Sequence, residues 1–143
     1  MASGSKQSDP LESQREKAVD ETPHIVTNHL GGDLWVVRLE GDHDLGSAPN
    51  LRRTIDELFA TGTCVAIDLT TATFIESSIL GELIRARQRA DRSPDEKLAV
   101  VAPPGSNAAQ LFDLAGVDDS WFPRFDSTHA AIEWCRGQPA AQR

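Results

Sequence analysis

Glu76, Ser77 and Ser78 are the three adjacent residues of this chain best placed to do chemistry. Two hydroxyls and a carboxylate stand directly before an apolar helical pattern of Ile79, Leu80, Leu83 and Ile84. Unpaired backbone N–H groups gather at a helix start, and the helix dipole favours negative charge there. A serine in that position can cap the helix, accept a phosphate or meet a partner. Nucleophilic catalysis is a poorer fit, because neither serine lies in a GxSxG elbow. The four histidines, His24, His29, His43 and His129, are scattered, and no spacing brings one to Ser78 as a base. No GxxxxGK[ST] loop and no GxGxxG fingerprint follows any strand. The expectation is a protein that is not an enzyme and needs no cofactor.

Other polar groups have plainer uses. In Asp42-His43-Asp44 the alternation of an extended chain would turn His43 away from the two aspartates, so turn chemistry is expected rather than a metal site. Arg85, Arg87, Arg89 and Arg92 suit a solvated helix face near the negative end of the dipole. Cys64 and Cys135 form no CxxC pair and no disulfide framework, and both sit among apolar residues. They read as two reduced core thiols.

The serine pair needs a strand to deliver it and a helix to receive it. Cys64 to Leu69 is a near-continuous apolar run that reads as a buried strand, followed by a short loop, and the helix spans about Ser78 to Asp91. Upstream, His24–Thr27 and Leu34–Leu39 flank the turn signal Gly31-Gly32-Asp33, a hairpin pattern, with Gly41 ending the second strand. Ser47-Ala48-Pro49 starts a helix bearing Leu51, Ile55, Leu58 and Phe59, with Gly62 as its C-terminal cap. Downstream come a strand over Leu98–Ala102 and a helix with an Asn107/Gln110 capping box and a Gly116-Val117 Schellman stop. A short extended piece, Trp121–Phe125, precedes a last helix capped near Ser127. The alternation predicts one α/β domain, a mixed β-sheet of four to five strands with helices packed against it.

With 143 residues, 39% hydrophobic and 25% charged, the chain is long enough to bury one core. Residues 1–22 read as a disordered tail, 23–136 as the domain and 137–143 as a frayed end. A formal net charge of −8 argues against nucleic acid as partner, and no basic stripe suits an anionic membrane. No apolar run approaches the ~20 residues needed to span a bilayer. No secretory signal is evident at the start, so the cytoplasm is the expected compartment.

A family resemblance adds to this reading over about residues 24 to 136. The order of Leu39-Glu40-Gly41 with Asp44, Ile67-Asp68-Leu69, Phe74-Ile75-Glu76-Ser77-Ser78 with Leu80-Gly81, and Leu111 through Val117 before Phe125-Asp126-Ser127 resembles the STAS domain. That is the domain of anti-sigma factor antagonists, also found at the cytosolic end of sulphate transporters. In the family the motif is Asp-Ser-Ser/Thr-Gly, and its second hydroxyl residue is phosphorylated by an anti-sigma factor that is itself a serine kinase. By position that residue is Ser78, with Glu76 replacing the aspartate and Ile79 replacing the glycine. The resemblance implies a bacterial transcription regulator that binds an anti-sigma factor of the serine-kinase type and frees a sigma factor. Glu76, Ser77, Ser78, Ile79 and Glu82 are the expected contacts. Two alternatives stand beside it: a constitutive, unphosphorylated STAS module with Ile79 as an apolar docking contact, and a nucleotide- or anion-sensing STAS regulator.

Overall fold

A hairpin opens the described chain. Strand β1 (His24–His29) runs antiparallel to β2 (Leu34–His43), and Gly31 and Gly32 turn between them at positive φ. The computed structural model describes residues 24–61, 63–118 and 120–137. After the hairpin come α1 (Ala48–Phe59), β3 (Cys64–Asp68), β4 (Ala72–Ile75), α2 (Ser77–Asp91) and β5 (Lys97–Val101). They are followed by α3 (Asn107–Ala115), β6 (Arg124–Phe125) and α4 (Thr128–Cys135). The strands form one mixed sheet in the order β1-β2-β3-β5-β6, with β4 pairing with the far end of β2. Every pairing except β1–β2 is parallel. The expected α/β architecture is present, and the sheet has six strands.

Alternation along the strands divides the interior in two. Val37, Leu39, Val65, Ile67, Leu98 and Val100 face α1, α2 and α3, where they meet Leu51, Ile55, Phe59, Ile79, Leu83 and Phe112. Each such side chain contributes roughly 1.5–3 kcal/mol when fully buried. Their neighbours Val36, Ala66, Ala99, Val101 and Phe125 face the other way and are covered by Ala131 of α4.

Several local expectations change. Gly41 does not end β2: it takes φ +83 and marks a register shift, after which the strand continues and exchanges β3 for β4 as its parallel partner. A Cβ would strain that backbone, so glycine permits the bulge rather than breaking the strand. The stretch expected to be loop before the serines contains β4, four residues without alternating burial. Ser47 is itself near-helical and makes no side-chain cap bond, while Pro49 occupies the first turn as expected. Ala60 holds the C-cap position of α1, and the expected cap Gly62 lies outside the described residues.

Helix α3 is capped by Ser106, whose Oγ accepts the Ala109 N–H at 3.1 Å. Asn107 is already helical, and its amide donates to the Thr73 carbonyl at 2.6 Å, joining α3 to β4. Gly116 in the left-handed region and the Val117 N–H donating to Phe112 O at 2.8 Å form the expected Schellman stop. Ser127 caps α4 through the Ala130 N–H. The extended piece expected over Trp121–Phe125 is strand only at Arg124–Phe125.

The cysteines correct a further expectation. Cys64 and Cys135 are not separate thiols but a disulfide, with Cα atoms 5.9 Å apart across 71 residues of sequence. Their spacing gave no sign of this, because only the return of α4 across the sheet brings its last residue to the first residue of β3. The expected tails, 1–22 and 137–143, lie outside the described residues apart from Gly137, which is in a turn, and so does Pro23.

Candidate functional site

Parallel β2 and β4 end side by side, with Asp42 opposite Phe74 and His43 opposite Ile75. One residue further, the Glu76 N–H donates to the His43 carbonyl at 3.0 Å, which fixes the point where the chain leaves the sheet. Glu76 is still extended, at φ −90 and ψ 162, yet its carbonyl already accepts the Ile79 N–H at 2.9 Å. Helix α2 therefore begins at Ser77, with Ser78 in its first turn.

Neither serine caps this helix, so the first of the three uses open to a serine there is not the one made of it. Glu76 occupies the cap position and makes no side-chain cap bond. Ser77 is exposed. Ser78 is half-buried, and its Oγ–H donates to Glu76 Oε1 at 3.1 Å. The hydroxyl is thus held beside a carboxylate in the first turn of the helix.

Two other expected contact residues are already engaged within the fold. Ile79 is fully buried among the core residues of the sheet and helices, so it cannot act as an exposed docking contact. One position along a helix turns a side chain by about 100°, enough to carry residue 79 inward while 78 stays near the surface. The β-branched group fills core volume and leaves the approach to Ser78 open. Glu82 retains only 12% side-chain exposure, because Arg52 grips both its oxygens at 3.1 Å and Arg85 Nε donates to Oε1 at 3.0 Å.

That pairing continues as a lattice between α1 and α2. Arg85 and Arg89 both reach Asp56, and Arg89 also reaches Glu96. The Glu82 hydrogen bond and charge hold the Arg52 pKa above its ordinary value, and Glu96 does the same for Arg89. Arg85 and Arg89 are therefore interhelical links rather than a freely solvated face, whereas Arg87 pairs with Asp91 one turn along.

Asp42, His43 and Asp44 do not converge. The Asp44 carboxylate accepts the Gly46 N–H at 2.9 Å, turn chemistry as expected, and Asp42 accepts the Thr73 hydroxyl. His43 is fully buried, its Nε2 within 3.2 Å of the His24 carbonyl and 3.0 Å of the Glu40 carbonyl, so Nε2 carries the proton. His129 pairs with Glu133. Among the described residues no group of three His, Cys, Asp or Glu could hold a metal ion. Nor is any described helix long and apolar enough to cross a membrane.

Exposed apolar groups that the sequence reading missed lie at the ends of the two strands that lead to the site. Leu45 is 69% exposed just beyond the end of β2, and Phe74 is 49% exposed on β4. Leu45, Pro49, Arg52 and Glu82 border a groove of about 780 Å³ along α1. On the other side, Phe74, Leu111 and the 87% exposed Leu114 line a smaller hollow of about 220 Å³. An apolar residue among turn formers, Asp44-Leu45-Gly46, was the available signal.

The STAS domain family model matches residues 19–131. In fold, the chain is similar to an anti-sigma factor antagonist from Mycobacterium paratuberculosis, with TM-score 0.66, 20% identity, and coverage of 82% of this chain and 97% of that one. It is similar to the anti-sigma factor antagonist SpoIIAA in its unphosphorylated form, with TM-score 0.63, 17% identity, and coverage of 82% and 100%. The phosphorylated form of the Bacillus cell fate determinant SpoIIAA gives TM-score 0.57 and 16% identity, with coverage of 78% and 98%. At these identities the likeness is one of fold. No curated protein sequence matches the chain.

Proposed function

The chain belongs to the STAS domain family, and on that premise we propose that it is an anti-sigma factor antagonist controlled by phosphorylation of Ser78. The unmodified surface around Glu76, Ser77 and Ser78 binds an anti-sigma factor of the serine-kinase type, and a sigma factor is thereby released. One observation supports the reading: the Ser78 hydroxyl lies at the mouth of α2, bonded to Glu76 among the described residues and not used to cap the helix. Leu45, beyond the end of β2, and Phe74, on the adjoining β4, are exposed and supply the apolar anchors that a protein interface needs at its centre.

Phosphorylation adds about −1.5 to −2 charges at this point. The helix N-terminus favours such a charge by about 0.3–1 kcal/mol, which supports an unaltered fold. Against the partner the effect is opposite. The phosphate takes the place of the hydroxyl hydrogen that Glu76 accepts, and two negative groups must then be desolvated together at the contact. The modification therefore acts on the complex and spares the domain.

Incubation with ATP and the cognate kinase-type anti-sigma factor, read by intact mass and peptide mapping, tests this. The expected result is one phosphate, on Ser78, and none on Ser78→Ala. No phosphate, or a phosphate on Ser77 instead, would overturn it.

A further inference from the structure

We propose that the Cys64–Cys135 disulfide is a redox latch that holds α4 on the sheet and can be opened by a dithiol while the rest of the domain stays folded. The two sulfurs join opposite kinds of element, the first residue of β3 and the last residue of α4. They border an open cavity of about 480 Å³ formed with Gly31, Gly32, Asp33 and Arg136, so a reductant can reach them. Cys64 is 8% exposed and Cys135 is half-buried, which makes Cys135 Sγ the point of attack.

What α4 would lose is small in apolar area and local in extent. Ala131 is its one fully buried residue, with Ala130, Ile132 and Trp134 only partly covered. Its other end is tied to the sheet by the Thr128 hydroxyl, which donates to Asp68 Oδ2 at 3.1 Å, while the Ser127 cap is internal to the helix start. A helix of eight residues with so little burial does not hold itself in place. At the C-terminal end of α4 the Trp134 ring also packs on Phe125 with centroids 5.5 Å apart and lies beneath the Lys97 ammonium at 5.5 Å, and the Cys64–Cys135 bond is the covalent fastening beside it. The opposite face of the sheet is packed by three helices that the disulfide does not touch.

The chemistry balances as ordinary exchange. A thiolate of the dithiol attacks Cys135 Sγ and expels Cys64 as a thiolate. The second thiol of the reductant then displaces Cys135 and closes the reductant's own disulfide. The protein gains two electrons and two protons and the dithiol loses the same.

Amide hydrogen exchange on the full chain, oxidised and after dithiothreitol in native buffer, tests the latch, with intact mass reporting the two added hydrogens. Complete reduction without denaturant is expected. The amides of α4 should then exchange at least about tenfold faster and those of α2 less than about twofold faster. Reoxidation should reverse the change, and Cys135→Ser should show the reduced pattern with no response to dithiothreitol. Three results would overturn the latch: reduction only in denaturant, unchanged α4 exchange after reduction, or equal acceleration in α2. The last would make the bond a staple of the whole fold.

Discussion

The two faces of the sheet are held by different means. On one, Leu, Ile, Val and Phe side chains from three helices and four strands interlock into a continuous core. On the other, alanines at 66, 99 and 131 keep the layer thin, and α4 is held to the sheet by a disulfide, a hydroxyl bond to Asp68 and the packing of Trp134 on Phe125 and Lys97, with Ser127 capping its own first turn. The first face carries the candidate site at its rim, because α2 must emerge from a rigid strand end to fix Ser78. The second is remote from that chemistry and can be fastened or released. Rigidity is thus concentrated where a hydroxyl has to be held in place.

Substitutions on the two faces should differ accordingly. The largest effect is expected from Ile79→Asp, which places an unpaired charge in the thick core. That cost is several kcal/mol against the ~5–15 kcal/mol stability of a typical domain. Thermal melting should show a loss of cooperative folding, so any lost binding by this variant reports the core and not a docking contact. A folded Ile79→Asp protein with a near-native melting curve would contradict the burial of that residue.

A smaller, paired effect comes from the helix caps. Ser106→Ala removes the cap of α3 on the thick face and should cost about 0.5–2 kcal/mol in global unfolding by denaturant. Ser127→Ala removes the same kind of bond from α4. In the reduced protein its effect should appear mainly as faster α4 amide exchange, with a smaller change in global stability. Equal global losses in reduced protein would mean that the thin face is as integral as the thick one.

The same contrast explains what the sequence disclosed. Strand β3 and helices α1 and α2 were legible because large apolar residues at regular spacing have one way to be buried. Helix α3 was found with its cap misplaced by one residue, since Ser106 and Asn107 are both good caps and only tertiary contact assigns Asn107 to Thr73. Strand β4 escaped notice because four residues without alternation carry no period. The disulfide was illegible for a physical reason: two cysteines 71 residues apart meet only through the path of the whole chain. At the site, Glu76, Ser77 and Ser78 were found together at the helix mouth. Ile79 turned inward because a side chain's direction depends on helix phase, and Glu82 borders the groove along α1 with its oxygens held by Arg52 and Arg85. Leu45 and Phe74 were passed over because exposure is not written in a residue's type.

A switch at Ser78 requires that charge there weaken the complex and spare the fold. Calorimetric titration of the cognate kinase-type anti-sigma factor with wild-type, Ser78→Ala and Ser78→Asp protein, each checked by thermal melting, measures both at once. The expected result is near-equal affinity for wild type and Ser78→Ala, and at least about tenfold weaker binding by Ser78→Asp, about 1.4 kcal/mol or more, with melting unchanged. Equal affinity for Ser78→Asp and Ser78→Ala would contradict the switch.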